Sequence, residues 1–247
     1  DPQQCRGPAR VPATAATAGM RPHQDSPDFE VRPTPPFRLD FTVWALRRRS
    51  RNQIDRWDGT TYRRVILMEG QAIDLAISQR SRATAPSLIV TANPAPRTVR
   101  QRRGLRLVID RLLGLQVDLS GWYRMADGDA RLGPLAQRFC GMKLVRFPTV
   151  FEAVVNAFAC QQLSLEVGLE LLNRLAALCG AKRATTGGAH RAFPAASDVG
   201  RLRPEELRAI GLSAQKVRAL LDLAQAIMHR NLDLEALARL DDDLVRQ

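Results

Sequence analysis

The amino-acid sequence predicts an α+β protein in which a small antiparallel sheet with helical cover precedes an all-helical segment. Between residues 37 and 92, apolar side chains alternate with polar or small ones in four short runs separated by turn residues. After Asp118 the apolar spacing is helical. Because the strands follow one another and most helices come after them, we expect the two groups to form separate layers rather than βαβ units.

The net charge and the length of the chain limit the number of domains and the kind of partner that it can have. The chain has 247 residues, a formal net charge of +12 and an isoelectric point near 10.9. This length suffices for one large domain or two small ones. The excess of basic residues is concentrated in residues 37–118 and favours a polyanionic partner. No apolar run approaches the ~20 residues of a membrane helix, and no signal-peptide pattern is visible, so no membrane partner is expected.

The four cysteines give no indication of a metal or redox centre. Cys5, Cys140, Cys160 and Cys179 lie far apart, and no Cys-x-x-Cys pair or metal-ligand histidine spacing is present. We expect thiols in a reducing cytoplasm rather than disulfides or zinc. The spacing also excludes a four-cysteine iron–sulfur loop within this chain, so neither a metal nor a cofactor is expected.

The N-terminal half divides into a tail and an α+β domain. Residues 1–36 hold 8 of the 15 prolines and are expected to form a disordered tail. Residues 37–118 are expected to form the α+β domain, with a helix from Thr98 to Leu115 after the turn pair Asn93-Pro94. Its predicted strands cover residues 37–43, 62–68, 72–78 and 87–92.

Residues 119–247 are expected to form a helical domain. A Gly/Thr-rich loop is predicted over 181–192. Ser213 is expected to cap the helix that follows Gly211, and the aspartates at 241–243 are interpreted as a solvated face. The predicted helices cover residues 127–142, 149–160, 164–179, 204–210 and 213–231, and a last one begins near 233.

The helices 149–160 and 164–179 form the most informative part of the sequence. Thr149 and Glu152 have the spacing of a capping box, Ser164 can cap the second helix, and Gly180 suits the position after its end. Leu165, Leu169, Leu172, Leu175 and Leu178 are expected to face inward. Between the two apolar helices lie Gln161 and Gln162, here called the elbow. Two adjacent glutamines add nothing to a core, so we expect a function for them.

Two segments resemble the alkylation-repair DNA glycosylases, the DNA-3-methyladenine glycosylase II group of the helix-hairpin-helix superfamily. The first runs from Phe41-Thr-Val-Trp-Ala-Leu-Arg-Arg-Arg to Asp55-Arg-Trp-Asp-Gly-Thr-Thr-Tyr-Arg-Arg-Val. The second runs from Phe147 to Gly180 and continues with Phe193-Pro194 and Leu207-Arg-Ala-Ile-Gly-Leu-Ser-Ala-Gln-Lys-Val-Arg-Ala-Leu-Leu. The resemblance covers roughly residues 37–247. It implies a TBP-like N-terminal sheet followed by a helix-hairpin-helix glycosylase domain that is incomplete at its C-terminus.

The resemblance also implies an activity and a partner. A glycosylase of this group is a monofunctional N-glycosyl hydrolase that flips alkylated bases of the 3-methyladenine type out of double-stranded DNA and needs no cofactor. It implies a monomer in the bacterial cytoplasm, associated with the nucleoid. In the family a side chain from the elbow fills the gap that the flipped base leaves. That wedge position falls on Gln162, with Gln161, Leu163 and Ser164 beside it; the alternative is a solvated turn.

A second DNA contact is implied at the turn before residue 217. Ser213 and Lys216 lie in the run Ile210-Gly-Leu-Ser-Ala-Gln-Lys. A lysine in the first turn of a helix is mildly disfavoured by the helix dipole. Two interpretations are open for Lys216: it supports a ligand or a phosphate, or it is a solvated surface lysine. The sequence leaves equally open whether the arginines of residues 47–51 touch DNA.

The family's catalytic machinery is missing from these residues. Its Gly-x-Gly hairpin and the catalytic aspartate that follows about a helix later are absent, and the aspartate position falls beyond Gln247. We therefore expect the 247-residue polypeptide to be an inactive fragment of a working glycosylase. The alternatives are a non-catalytic DNA-binding remnant, or a regulatory protein of the same fold with a partner domain upstream of Asp1.

Overall fold

The computed structural model describes residues 29–185, 187–230 and 232–237. These residues divide into two compact units. The first unit comprises residues 29–46, Asp58–Tyr62 and Leu75–Val145. The second unit comprises Arg47–Trp57, Arg63–Asp74 and the described residues from Arg146 onward. This division does not follow the expected domain boundary at residue 118, because residues 119–145 group with the first unit.

An antiparallel sheet is the main β structure of the described chain. Its strands are ordered β1-β5-β4-β3-β2, so that β1 pairs antiparallel with β5 at one edge. The predicted strands at 62–68, 72–78 and 87–92 are confirmed to within one residue at each end. The strands cover β1 (Phe29–Val31), β2 (Arg56–Trp57), β3 (Thr61–Met68), β4 (Gln71–Gln79) and β5 (Leu88–Asn93).

Two predictions near the N-terminus are wrong. Strand β1 lies within the expected tail. The expected strand 37–43 is part of a helix, α1 (Leu39–Arg47). Alternation and helical spacing coincide over so short a run, and the buried residues Leu39, Thr42, Val43 and Leu46 follow the helical period. Phe41, which the alternation placed inward, is only half-buried, and its ring contacts that of Phe139 edge to face, with centroids 5.8 Å apart.

The helix predicted from Thr98 is confirmed as α2 (Val99–Leu113). Thr98 is its N-cap, and Gly114 ends it in the left-handed conformation at φ 60°. The short helix expected over 127–142 is instead two helices, α3 (Ser120–Asp127) and α4 (Leu132–Arg138). The carboxylate of Asp129 accepts the backbone N–H groups of Arg131 and Leu132 at 2.7 and 2.9 Å, and this turn separates them.

The cysteines follow the expectation only in part. Cys160 and Cys179 are free thiols. Burial raises the pKa of Cys179 to about 12, so this thiol stays protonated at neutral pH. Cys140, in contrast, is disulfide-bonded, so the expectation of a reduced thiol at that position is wrong.

The second unit is built mainly from helices. The predicted helices at 149–160, 164–179, 204–210 and 213–231 are confirmed, and the last expected helix is described only as far as Leu237. The helices cover α5 (Val150–Cys160), α6 (Leu165–Cys179), α7 (Ala196–Val199), α8 (Pro204–Ala209), α9 (Ala214–Met228) and α10 (Leu234–Leu237). Their apolar faces form one core, with members that include Phe151, Val155, Leu169, Leu172, Leu175, Leu207, Val217 and Leu220.

Helix α6 differs from its prediction at two places. Leu178 is exposed, whereas Leu171, which was not predicted, is buried. Gly180 is not in the left-handed conformation expected of a residue that ends a helix, since its φ is −68°. A Cβ at this position would lie 2.1 Å from the carbonyl oxygen of Ala192. Glycine is therefore required by the close approach of the following segment and not by the turn.

The segment after α6 is a β-hairpin and not the expected loop. Strands β6 (Lys182–Thr185) and β7 (Gly188–Arg191) pair antiparallel. The hydroxyl of Thr185 donates to the carbonyl oxygen of Gly188 at 2.8 Å, and Gly188 has a φ of 115°. The Thr/Gly composition therefore marks a tight turn between two short strands. Among the described residues, none of the helices has the length and apolarity needed to cross a bilayer.

Candidate nucleic-acid interface

Helix α5, which leads to the elbow, begins at half of the predicted capping box. The Thr149 hydroxyl accepts the backbone N–H of Glu152 at 3.1 Å, as predicted. The Glu152 side chain does not return to Thr149. It is buried, and its two carboxylate oxygens accept from Arg64 Nη2 at 2.5 and 2.6 Å. The second half of the capping box is therefore replaced by an ion pair to strand β3.

Arg64 is the centre of a buried ionic cluster in the second unit. Its guanidinium also donates to Asp55 at 2.7 Å, and the three side chains are at most 5% exposed. Burial raises the pKa of Glu152, and Arg64 opposes that rise. Removing one partner of such a cluster leaves a buried charge uncompensated. The cluster therefore fixes how α5 is held against β3 and the 52–55 segment.

The sequence analysis missed this cluster. Glu152 was assigned to helix capping, and nothing local connects it with Arg64, 88 residues earlier. The one available indication was the position of Glu152 directly after Phe151, in the first turn of a strongly apolar helix. An acid there is either a cap or the partner of a distant cation, and the sequence alone does not distinguish the two.

Arg48, in the basic run 47–51, is used within the second unit. Its Nη2 donates to the Asn156 side-chain oxygen at 2.7 Å, and its guanidinium lies 5.7 Å from the centre of the Phe147 ring. Arg48 itself has a positive φ of 64°. The side chains of Arg49 and Arg51 are exposed. Arg48 therefore stabilises α5 through these contacts. Within this run, Arg49 and Arg51 are the arginines exposed for a contact with DNA.

The elbow is a strained and exposed turn between α5 and α6. Gln161 is extended, with φ −64° and ψ 129°, and Gln162 has a φ of 58°. Glutamine rarely adopts this left-handed region, which costs about 1–3 kcal/mol unless the surroundings enforce it. Residues 161–164 are all exposed, and Leu163 presents an apolar side chain that is 44% accessible. The turn thus offers polar and apolar groups on one exposed segment.

Lys216 holds the end of α5 in place. Its ammonium donates to the carbonyl oxygen of Gln161 at 2.8 Å and to that of Ala159 at 3.5 Å. A cation is favoured at a helix C-terminus, where carbonyl groups lack partners. Of the two interpretations left open for Lys216, the freely solvated lysine does not fit these hydrogen bonds, and a contact with a ligand or phosphate stays a prediction. The helix dipole mildly disfavours Lys216 in the first turn of α9. Its ammonium, however, is favoured beside the carbonyl groups at the end of α5.

Ser213 and Ser164 are both helix caps. The Ser213 hydroxyl accepts the backbone N–H of Lys216, and the Ser164 hydroxyl accepts that of Val167, each at 3.3 Å. The capping predicted for both is confirmed. The six predicted DNA-contact residues thus lie near the N-termini of α6 and α9, and Lys216 connects the two places. Their contact with DNA stays a prediction.

Close packing of α5 against α6 lies directly behind the elbow. A Cβ on Gly168 would lie 2.6 Å from Cys160 Sγ. Beside this contact, an apolar depression extends between α5, α6 and α9, with Lys216 at its margin. It is lined by Val155, Phe158, Ala159, Leu171, Leu172, Leu175, Leu212 and Leu220. The elbow therefore rests on a packed support.

We assign no catalytic acid among the described residues. No group of three or more His, Cys, Asp or Glu side chains within the described ranges could hold a metal ion. The aspartates at 241–243 lie outside the described residues. What the geometry provides is an exposed, preorganised turn in a basic protein, which suits insertion into a groove or a base stack.

Comparison with protein families agrees with this geometry. Residues 155–247 match the family described as HhH-GPD superfamily base excision DNA repair protein. The match begins within α5 and takes in the elbow, α6 and α9. This part of the chain is therefore similar to members of that superfamily. The expected α+β fold, an antiparallel sheet with a helical domain like that of the HhH-GPD family, is confirmed.

A curated relative is a DNA glycosylase. DNA-3-methyladenine glycosylase of Bacillus subtilis (strain 168) is 26% identical over 127 residues, which are 51% of this chain and 42% of that protein. This chain therefore spans less than half the length of the curated relative that it matches.

Solved structures support the fold. The 3-methyladenine DNA glycosylase from Archaeoglobus fulgidus superposes with a TM-score of 0.68 at 23% identity, covering 79% of this chain and 66% of that one. The apo form of the Clostridium acetobutylicum 8-oxoguanine glycosylase/lyase has a TM-score of 0.64 at 14% identity, covering 89% and 70%.

Proposed function

We propose that this chain is the DNA-engaging part of a base excision repair glycosylase that acts as a monomer on double-stranded DNA containing alkylated bases. The whole protein flips a base of the 3-methyladenine type out of the duplex and hydrolyses its N-glycosylic bond. Its place of action is the nucleoid of a bacterial cell. The observation that carries the proposal is the left-handed, exposed Gln162 at a turn that Lys216 holds rigid.

Rigidity is what a wedge requires. A side chain that enters a base stack replaces the stacking of the flipped base, and unstacking costs a few kcal/mol. A flexible turn would add an ordering cost to each insertion. The elbow is already fixed by three features, namely the Lys216 hydrogen bonds, the Ser164 cap and the Gly168 contact. Support for alkylated adenine comes from the Bacillus subtilis relative, a DNA-3-methyladenine glycosylase.

The hydrolysis step needs groups that this polypeptide does not supply. The 247 residues contain no Gly-x-Gly sequence, and no aspartate matches the family's catalytic position. We therefore propose that this polypeptide binds damaged DNA without releasing the base.

Substitution of Gln162 tests the wedge. Gln162→Ala should weaken binding to a duplex with one alkylated adenine about tenfold, equivalent to about 1.4 kcal/mol, because the unfilled gap destabilises the flipped state. Binding to the undamaged duplex should change little, since no gap forms there. Fluorescence anisotropy titrations of both duplexes measure the two affinities.

Two control variants distinguish the loss of the Gln162 side chain from other effects of a substitution. Gln137→Ala removes another exposed glutamine, on α4, and should change neither affinity. Gln162→Gly removes the same side chain but relaxes the left-handed backbone, so it should lose discrimination without loss of stability. An equal loss of affinity for both duplexes in Gln162→Ala would eliminate the wedge role.

A further inference from the structure

The β6–β7 hairpin opposes like charges directly across its two strands. Lys182 lies opposite Arg191, and Arg183 lies opposite His190. Residues 181–192 contain no acidic residue. Cross-strand pairs of like charge destabilise a sheet. At neutral pH this applies to Lys182 and Arg191, since burial lowers the pKa of His190 and leaves the imidazole opposite Arg183 uncharged. A short hairpin that keeps such a pair is best explained by a partner that supplies negative charge.

Arg183 of this hairpin acts on a buried carboxylate of the second unit together with two other arginines. Asp74 of β4 is buried, and the cations that act on it electrostatically are Arg56 of β2, Arg63 of β3 and Arg183. Arg56 Nη2 lies 3.6 Å from Asp74 Oδ1. Burial and nearby Arg56 lower the pKa of His190. One buried carboxylate is thus near three guanidinium groups, which leaves an excess of positive charge around Asp74.

The outer side of the hairpin is exposed. Lys182 is exposed, and so are Ala184, Gly188 and Ala189 beside it. Arg191 is anchored by a hydrogen bond from its Nη1 to the Gly180 carbonyl oxygen at 2.7 Å. Small side chains between cations let a polymer backbone approach closely. Basic side chains beside small residues suit the phosphates of a nucleic acid, which a protein contacts without sequence preference.

We propose that the basic hairpin, defined as Lys182–Thr185 and Gly188–Arg191, binds the phosphate backbone of duplex DNA at a place distinct from the elbow. This inference rests on the proposed DNA-binding function. The hairpin begins where α6 ends, and the elbow lies where α6 begins. The 15 residues of α6 span about 22 Å, which corresponds to about six base pairs at 3.4 Å per step. The hairpin therefore contacts flanking duplex and not the lesion.

A salt titration tests the contact. Lys182→Ala/Arg183→Gln should weaken binding to an undamaged duplex of about 25 base pairs roughly tenfold at low salt. The slope of log Kd against log salt should fall by about 1–2, since each lost phosphate contact releases about one counterion fewer. The matched control Arg102→Ala/Arg103→Ala removes two exposed charges from α2 and should change affinity much less. Lys182→Glu, at an exposed position, keeps the test valid if Arg183→Gln disturbs folding.

Duplex length separates this proposal from the wedge. On a lesion duplex of about nine base pairs, whose arms reach about 14 Å, the hairpin variants should bind as the parent does. Gln162→Ala should still weaken that binding. If the hairpin variants bind the long duplex with unchanged affinity and an unchanged slope of log Kd against log salt, the hairpin proposal is wrong. This holds even if the hairpin binds an acidic protein instead. If instead the parent protein binds lesion and undamaged duplex equally and Gln162→Ala changes neither affinity, the proposed function fails while a hairpin effect on the long duplex still stands.

Discussion

At the scale of single residues, Lys216 carries more of the site than its sequence position suggests. Its backbone N–H is capped by Ser213, while its ammonium reaches the carbonyl oxygens at the end of α5. One residue thereby joins the start of α9 to the elbow. Hydrogen bonds from a charged donor contribute about 1.5–3 kcal/mol, more than those between neutral groups. The elbow's geometry depends on this contact as much as on its own sequence.

Lys216→Met should loosen the elbow. Methionine keeps much of the apolar stem but cannot donate, so we expect the free energy of unfolding to fall by about 1–2 kcal/mol. Urea denaturation followed by circular dichroism measures this change. Lesion binding should weaken as well, because the left-handed Gln162 loses its support.

The control for this variant lies on the same helix. Arg218→Met removes an equal charge from an exposed position of α9 and should leave both stability and lesion binding nearly unchanged. If Lys216→Met behaved like Arg218→Met in both measurements, the hydrogen bonds to Gln161 and Ala159 would have no role in fixing the turn.

At the scale of elements, the close approach of α5 and α6 depends on one glycine. Gly168 is buried and faces the backbone and sulfur of Cys160. Glycine inside a helix ordinarily costs about 1 kcal/mol relative to alanine. That cost is offset here because no larger residue fits between the two helices. The contact sets the separation of the helices just where the chain turns at the elbow.

Gly168→Ala should destabilise the protein by about 1–3 kcal/mol despite the better helix propensity of alanine. The added Cβ would lie 2.6 Å from Cys160 Sγ and 2.9 Å from its Cα, so the backbone of α5 has to move. Urea denaturation gives the change in unfolding free energy. Gly121→Ala in α3 is the matched control, because its nearest heavy atom would be 3.8 Å away and a slight gain is expected. A gain in both variants would show that the helices tolerate a wider spacing.

At the scale of the whole molecule, the net charge favours DNA binding but does not account for catalysis. The net charge of +12 favours binding to any duplex, with an affinity that falls steeply as salt rises. Binding alone does not cleave the N-glycosylic bond, which requires a group that stabilises the developing positive charge or positions water. The elbow, the caps and the hairpin are binding and positioning features.

The purified 247-residue polypeptide should bind a duplex with one alkylated adenine but release no base above background. The physical reason is the absence of an aspartate at the catalytic position in these residues. Incubation with the duplex, followed by alkaline cleavage of abasic sites and gel analysis, measures release. A relative with full glycosylase activity serves as the positive control. Base release that depends on the amount of polypeptide would show that another residue supplies the catalytic group.

Sequence patterns predicted the elements best where one period applied over a long stretch. Strands β3 to β5 and helices α2, α5, α6 and α9 lie where alternation or helical spacing placed them. Helix α1 was mistaken for a strand, because seven residues satisfy both periods and only the burial of Thr42 and Leu46 decides between them. The hairpin at 182–191 was taken for a loop, since short polar strands carry no alternation of their own.

For the candidate site, the sequence by itself determined the caps, the two apolar helices and the glutamines between them, because each depends on neighbours within four residues. The tertiary structure alone decided the partners of Glu152, Lys216 and Gly168. Each of these contacts joins residues that are distant in the chain, or depends on how closely two helices approach. That packing decides whether a charged side chain is solvated or buried. The same acidic residue can cap a helix, pair with a cation or face water, depending on the groups that lie against it.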